Sequence, residues 1–131
     1  VIAMSEPTEQ QQYEAIFASY KEQARIVPID TNMRTLIETL NQLDGIATVS
    51  CCGGHEHPAR CQRPLGAWFV TFEVYPYDKR GWDALSIIRY ATDQTNDRVS
   101  LRYAGLINGF SLDGKGIDPN DVAPLMYEVI L

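Results

Sequence analysis

The segment Ala67–Tyr75 constrains the fold most, because large apolar side chains occupy every second position along it. These residues are Trp68, Val70, Phe72 and Val74. Successive side chains of a β-strand point to opposite faces of a sheet, so the pattern predicts a strand with one dry face that ends before Pro76. A dry sheet face has to be covered, and other parts of the chain must therefore supply an apolar layer.

Amphipathic helices are predicted to supply this layer. In the first of them, apolar residues recur at helical spacing from Tyr13, and Val27-Pro28 ends the pattern because a residue before proline avoids the helical region. Two further helices are predicted, one from Asp30 to Asp44 and one from Asp78 to Asp93. Asp30 or Thr31 is expected to cap the second helix, and Asp78 the third.

Four more segments have the composition or alternation of strands. They are Ile46–Cys51, Val99–Tyr103, Phe110–Asp113 and the C-terminal stretch Leu125–Leu131, in which Pro124 disfavours a helix. The element order is ααββαβββ. We therefore expect one α+β domain over residues 11–131, with helices packed on one face of a mainly antiparallel sheet, and a flexible N-terminus over residues 1–10.

Composition excludes several classes of function. The chain has 131 residues, the size of one ordinary domain, and its net charge of −6 argues against a nucleic-acid partner. It lacks the long apolar run of a membrane span and begins without the pattern of a secretory signal. An odd number of cysteines in such a chain favours free thiols in a reducing, cytoplasmic compartment, and the oligomeric state stays open.

One loop, Ser50-Cys-Cys-Gly-Gly-His-Glu-His-Pro-Ala-Arg-Cys61, contains all three cysteines and both histidines of the chain. Cysteine and histidine bind soft metals and perform nucleophilic or acid–base chemistry near neutral pH. Cys51 and Cys52 should point to opposite faces while the strand lasts, and Gly53 and Gly54 allow a sharp turn. The concentration of these residue types predicts a functional site in this loop.

Three interpretations of the loop stay open. In the first, Cys52 or Cys51, together with His55, His57 and Cys61, binds zinc in a structural or interaction module. In the second, Cys52 and His55 are catalytic, or line a pocket for a small or anionic ligand that Gly53, Gly54 and Trp68 help to form. In the third, the cysteines are small buried apolar residues without a chemical role. Whether the protein is an enzyme is not decided by these residues.

The loop and its flanks resemble a pattern in small uncharacterised bacterial and phage-type proteins. That pattern is a helix ending in Leu-Asn, a strand, and a Thr-x-x-Ser-Cys-x-Gly-His turn. Here Asn41 matches the helix end, and Cys52, Gly54 and His55 take the Cys, Gly and His places, while Cys51 takes the place of Ser. The resemblance implies a shared turn and a paired role for Cys52 and His55.

A more distant resemblance is to the wybutosine-synthesis methyltransferases, which modify transfer RNA with S-adenosylmethionine. Their Thr-x-Ser-Ser-Cys-Ser-Gly-Arg turn is matched by Thr48, Ser50, Cys52 and Gly54, and Trp68 suits the strand that comes next. His55 replaces the Arg of that turn. The resemblance covers roughly residues 36–72 and implies an S-adenosylmethionine-dependent RNA-modifying enzyme as a further alternative.

Overall fold

The computed structural model describes residues 6–105 and 107–130. The helices are α1 (Glu9–Ile26), α2 (Arg34–Gln42, preceded by a 3-10 turn over Thr31–Met33), α3 (Lys79–Asp93) and α4 (Pro119–Ile130). The strands are β1 (Ile46–Cys52), β2 (Ala67–Val74), β3 (Val99–Tyr103) and β4 (Gly109–Lys115). They form one antiparallel sheet in the order β1-β2-β4-β3. The predicted α+β class is confirmed.

One face of the sheet packs against α2, α3 and α4. The four alternating apolar residues of β2 all lie in this core, together with Leu36 and Leu40 of α2, Ile88 of α3 and Met126 of α4. The dry face predicted from alternation is thus the main hydrophobic core. None of the described helices combines the length and apolar character needed to cross a membrane.

Helix α1 packs mainly against β1 rather than in the main core. It begins where Thr8 forms a capping box with Gln11, so Glu9 and Gln10 of the predicted flexible segment are helical, while residues 1–5 lie outside the described part. Its Tyr13 and Phe17 pack with Ala47 and Tyr75 in a second, smaller cluster. This cluster tethers α1 along the β1 edge of the sheet.

The C-terminal segment differs from the prediction, because the expected strand over Leu125–Leu131 is helix α4. Val122, Ala123 and Met126 are buried at helical spacing against the main core, whereas Pro124 is exposed. Burial of this apolar stripe outweighs the cost of a proline inside the helix. Pro119 stands at the first helical position, where its missing N–H costs nothing. Leu131 lies outside the described residues.

Strand β1 contains a bulge that decides how its cysteines are directed. The pairing with β2 shifts between Thr48 and Ser50, so Val49 has no partner. After the shift Cys51 is opposite Val70 and packs against the main core, while Cys52 is opposite Phe69 on the other face. The prediction that the two cysteines point to opposite faces is confirmed.

Candidate functional site

The Cys/His loop leaves β1 at Gly53 and is fixed by backbone contacts at its base. His55 N–H donates to the Arg63 carbonyl at 2.8 Å, and the Asn32 amide donates to the Gly53 carbonyl at 2.9 Å. Gly54 has a φ of 96°, and a Cβ there would lie 2.7 Å from the Ala67 carbonyl oxygen. A Cβ at Gly53 would collide with the Asn32 side chain. Both glycines therefore shape the turn, as predicted.

Asp30 enters the site from the segment between α1 and α2. Sequence reasoning expected it to cap α2, but its side chain makes no capping hydrogen bond. Its Oδ2 instead accepts from Gly53 N–H at 2.8 Å and lies 3.3 Å from Nε2 of His55. The carboxylate thus joins the start of α2 to the loop, and it is a site residue that the sequence prediction missed.

Cys52 lies beneath the loop with 4% of its surface exposed. Its sulfur accepts a hydrogen bond from Arg63 N–H at 3.3 Å. This hydrogen bond helps to fix the position of the sulfur beneath the loop. The His55 side chain remains about one third exposed. The arrangement therefore combines a covered sulfur with an accessible imidazole.

Asp30, Cys52 and His55 converge, and we call them the Asp–Cys–His cluster. One potential ligand atom from each residue lies within 4.8 Å of the other two. Within residues 6–105 and 107–130, this is the only group of three or more Cys, His, Asp or Glu side chains with such spacing. His57 and Cys61, two of the four predicted zinc ligands, are exposed and do not belong to it.

Trp68, predicted as a ligand-binding residue, is 2% exposed and lies in the main core. Its indole N–H donates to the Ile117 carbonyl at 2.8 Å, and a side chain at Gly114 would collide with its ring. It also borders a shallow cleft of about 300 Å³ that Gly53 helps to line. The contacts of Trp68 are mainly those of a core residue.

A cleft of about 730 Å³ lies between α1 and α2 and shares no residue with the Asp–Cys–His cluster. A smaller cleft of about 330 Å³ runs along the β1 edge and is lined by Asp30 and Cys51. We place the candidate site at the cluster rather than in the cleft between α1 and α2, because convergent reactive groups identify chemistry better than volume does.

Comparison with known proteins gave no match among protein-family profiles, curated proteins or solved structures. The resemblances to the phage-type turn and to the transfer-RNA methyltransferases therefore stay predictions. Any function assigned to the chain has to be supported by the geometry of the Asp–Cys–His cluster and its surroundings.

Cys61 and Cys51 should differ in their rates of reaction with an alkylating reagent after treatment with a chelator. Cys61 is exposed and should react first. Burial, and secondarily the charge of Asp30, raise the pKa of the Cys51 thiol to about 11, so only roughly one thiol in a thousand is ionised at pH 8. Its labelling rate should rise with pH until about 11. Peptide mapping by mass spectrometry measures the order, and labelling of Cys51 before Cys61 would contradict it.

Proposed function

We propose that the protein binds a divalent transition metal ion, with zinc as the best fit, through Asp30, Cys52 and His55. Three protein ligands leave a fourth position of a tetrahedral ion for water or a small ligand. Such an open position is typical of metal sites that bind or transform a substrate rather than of closed structural sites. The proposal keeps the Cys52–His55 pair of the sequence prediction and replaces His57 and Cys61 by Asp30.

The mutual spacing of the three ligand atoms carries the proposal. In a relay of nucleophile, histidine and carboxylate, the imidazole stands between its partners, which are then roughly 7 Å apart. Here the sulfur and the carboxylate ligand atom lie within 4.8 Å of each other as well as of the imidazole. This triangle supports a shared central ion better than it supports a relay. Ligands of a tetrahedral zinc ion stand about 3.3–3.8 Å apart, and the 3.3 Å between Asp30 and His55 agrees with this spacing.

The hydrogen bonds that backbone N–H groups donate to two of the proposed ligands also favour a metal centre. Gly53 N–H orients the Asp30 carboxylate, and Arg63 N–H orients the Cys52 sulfur. Hydrogen bonds of this kind fix ligand orientation and offset part of the ligand charge. Thiolate, imidazole and carboxylate together match the ligand preference of zinc.

A second candidate is metal-free thiol chemistry at Cys52, with His55 as the base. The proximity of His55 to the Cys52 sulfur, within 4.8 Å, favours this alternative, because a nearby base can accept the thiol proton. The two candidates differ in one measurable respect. The metal centre requires Asp30 and one equivalent of metal, whereas thiol chemistry requires neither.

Cobalt(II) titration of chelator-stripped protein tests the proposal. We expect one equivalent to bind and to give a thiolate-to-cobalt charge-transfer band with the visible bands of a tetrahedral ion. Cys52→Ser should abolish the charge-transfer band. The matched variants Cys51→Ser and Cys61→Ser should keep it, because neither residue belongs to the cluster.

Two results would count against the metal centre. One is the absence of cobalt uptake by folded wild-type protein. The other is a charge-transfer band that survives Cys52→Ser and is lost in Cys61→Ser. Rapid alkylation of Cys52 that depends on His55 in protein without bound metal would favour the thiol alternative.

A further inference from the structure

On the face of the sheet opposite the main core, α1 covers the part around Ala47, whereas the part beside the Asp–Cys–His cluster is open, and we call this second part the open face. Cross-strand pairs place Cys52 next to Phe69, and Ser50 next to Thr71, on this side. Ser50 is exposed, and Phe69 and Thr71 are half-buried. The hydroxyls of Ser50 and Thr71 are hydrogen-bonded to each other. A molecule resting here would therefore meet an aromatic ring, two hydroxyls and the edge of the cluster.

Arg63 extends over this part of the open face. Its backbone N–H contacts the Cys52 sulfur, and its guanidinium lies 4.8 Å from the centre of the Phe69 ring. Because Phe69 is the cross-strand neighbour of Cys52, the Arg63 side chain is held beside the cluster. The stacked ring keeps the planar guanidinium in place while 38% of the side chain stays exposed.

The charge of Arg63 is only partly neutralised. Asp113 accepts from Arg102 at 2.8 Å and from Arg63 at the longer distance of 3.4 Å, so one carboxylate serves two guanidinium groups. Burial favours a raised pKa at Asp113, but hydrogen bonds from Arg102, Ser111 and Arg63 outweigh it and hold the pKa below its ordinary value. Lys115 lies on the same face two residues after Asp113. A chain with net charge −6 thus presents a local positive patch beside the cluster.

We propose that Arg63 binds the phosphate or carboxylate group of a small anionic ligand, another oxygen of which occupies the open metal position. The inference rests on the proposed metal centre and names the class of ligand that the centre takes. A guanidinium provides two parallel N–H donors that match the paired oxygens of a phosphate or carboxylate. The Arg63 guanidinium makes one hydrogen bond to Asp113, at 3.4 Å, and is 38% exposed, so it retains further N–H donors for such a group.

Inorganic phosphate is the probe for this inference, and the cobalt-loaded protein supplies the readout. Phosphate should perturb the visible cobalt bands of the wild type as it reaches the metal. Arg63→Met should raise the dissociation constant for phosphate at least about tenfold, the cost of losing a charge-assisted hydrogen bond. Methionine can still pack on Phe69, and the backbone N–H to Cys52 is retained. Arg60→Met removes the same charge from the exposed part of the loop and should change the constant less than about threefold.

The outcomes separate this inference from the metal centre. Uptake of one equivalent of cobalt by all three proteins, with phosphate binding weakened only by Arg63→Met, supports both. Normal cobalt uptake with phosphate binding that is absent, or is equal in wild type and Arg63→Met, overturns the role of Arg63 and leaves the metal centre standing. Failure of the wild type to bind cobalt overturns the metal centre and this inference with it.

Discussion

Replacing Asp30 by alanine should weaken zinc or cobalt binding by at least about 100-fold, because it removes one of three protein ligands and its negative charge. A two-ligand site of Cys52 and His55 would hold the ion poorly at neutral pH. The carboxylate also accepts Gly53 N–H, so its loss frees the base of the loop. Competition with a chromophoric chelator measures the affinity, and circular dichroism checks that the variant is folded.

Asp30→Asn separates the ligand role from the structural one. The amide oxygen can still accept from Gly53 N–H, but it is a neutral and weak metal ligand, so metal affinity should fall with little change in thermal stability. His57→Ala and Cys61→Ser are the controls and should bind metal like the wild type. Wild-type affinity in both Asp30 variants, together with loss of metal in either control, would restore the ligand set predicted from the sequence.

The site could be predicted in part because its reactive residues are concentrated in one loop. Cys52 and His55 are separated by two glycines, and a turn over such a short segment brings them together in any fold. Asp30 could not be found in this way. It lies far upstream and has the sequence context of a helix cap, and only the packing of the segment before α2 against the turn at Gly53 brings it to the cluster.

Strand alternation predicted that the side chains of Cys51 and Cys52 point to opposite faces of the sheet, but it could not show which one faces the core. That depends on the bulge at Val49, which shifts the pairing of β1 by one residue and has no signature in the sequence. Without the shift, Cys52 would share the core face with Thr48. With it, Cys51 takes the core position and Cys52 faces the loop.

The fold was more predictable than the site, because most helices and strands before residue 116 have a clear apolar period and β1 is rich in β-branched residues. The exception is α4. Its sequence contains a proline and also alternates like a strand. The segment is nevertheless a helix, because Val122 and Met126 are then buried against α2 and α3. Such a tertiary preference cannot be read from a short local segment.

Replacing Trp68 by alanine should lower the free energy of unfolding by about 3–5 kcal/mol, the usual cost of removing a large buried aromatic side chain. The change would leave a cavity in the main core beside Gly114 and an unpaired carbonyl at Ile117. Trp68→Phe should cost less, about 1–3 kcal/mol, because it mainly removes the donor to that carbonyl. Urea denaturation monitored by circular dichroism measures both variants.

The other tryptophan of the chain provides the matched control. Trp82 on α3 is 46% exposed, so Trp82→Ala should lower the free energy of unfolding by about 1 kcal/mol or less.

Cobalt affinity and its response to phosphate should be unchanged in folded Trp68→Phe, because the ring lies on the core side of β2, whereas Cys52 and Phe69 lie on the open face. If Trp68→Phe keeps its stability but loses phosphate binding, Trp68 would be a ligand-binding residue, as predicted from the sequence. The hydrogen bond from its indole N–H to the Ile117 carbonyl holds the ring on the core side of β2, which is the reason to expect the opposite result.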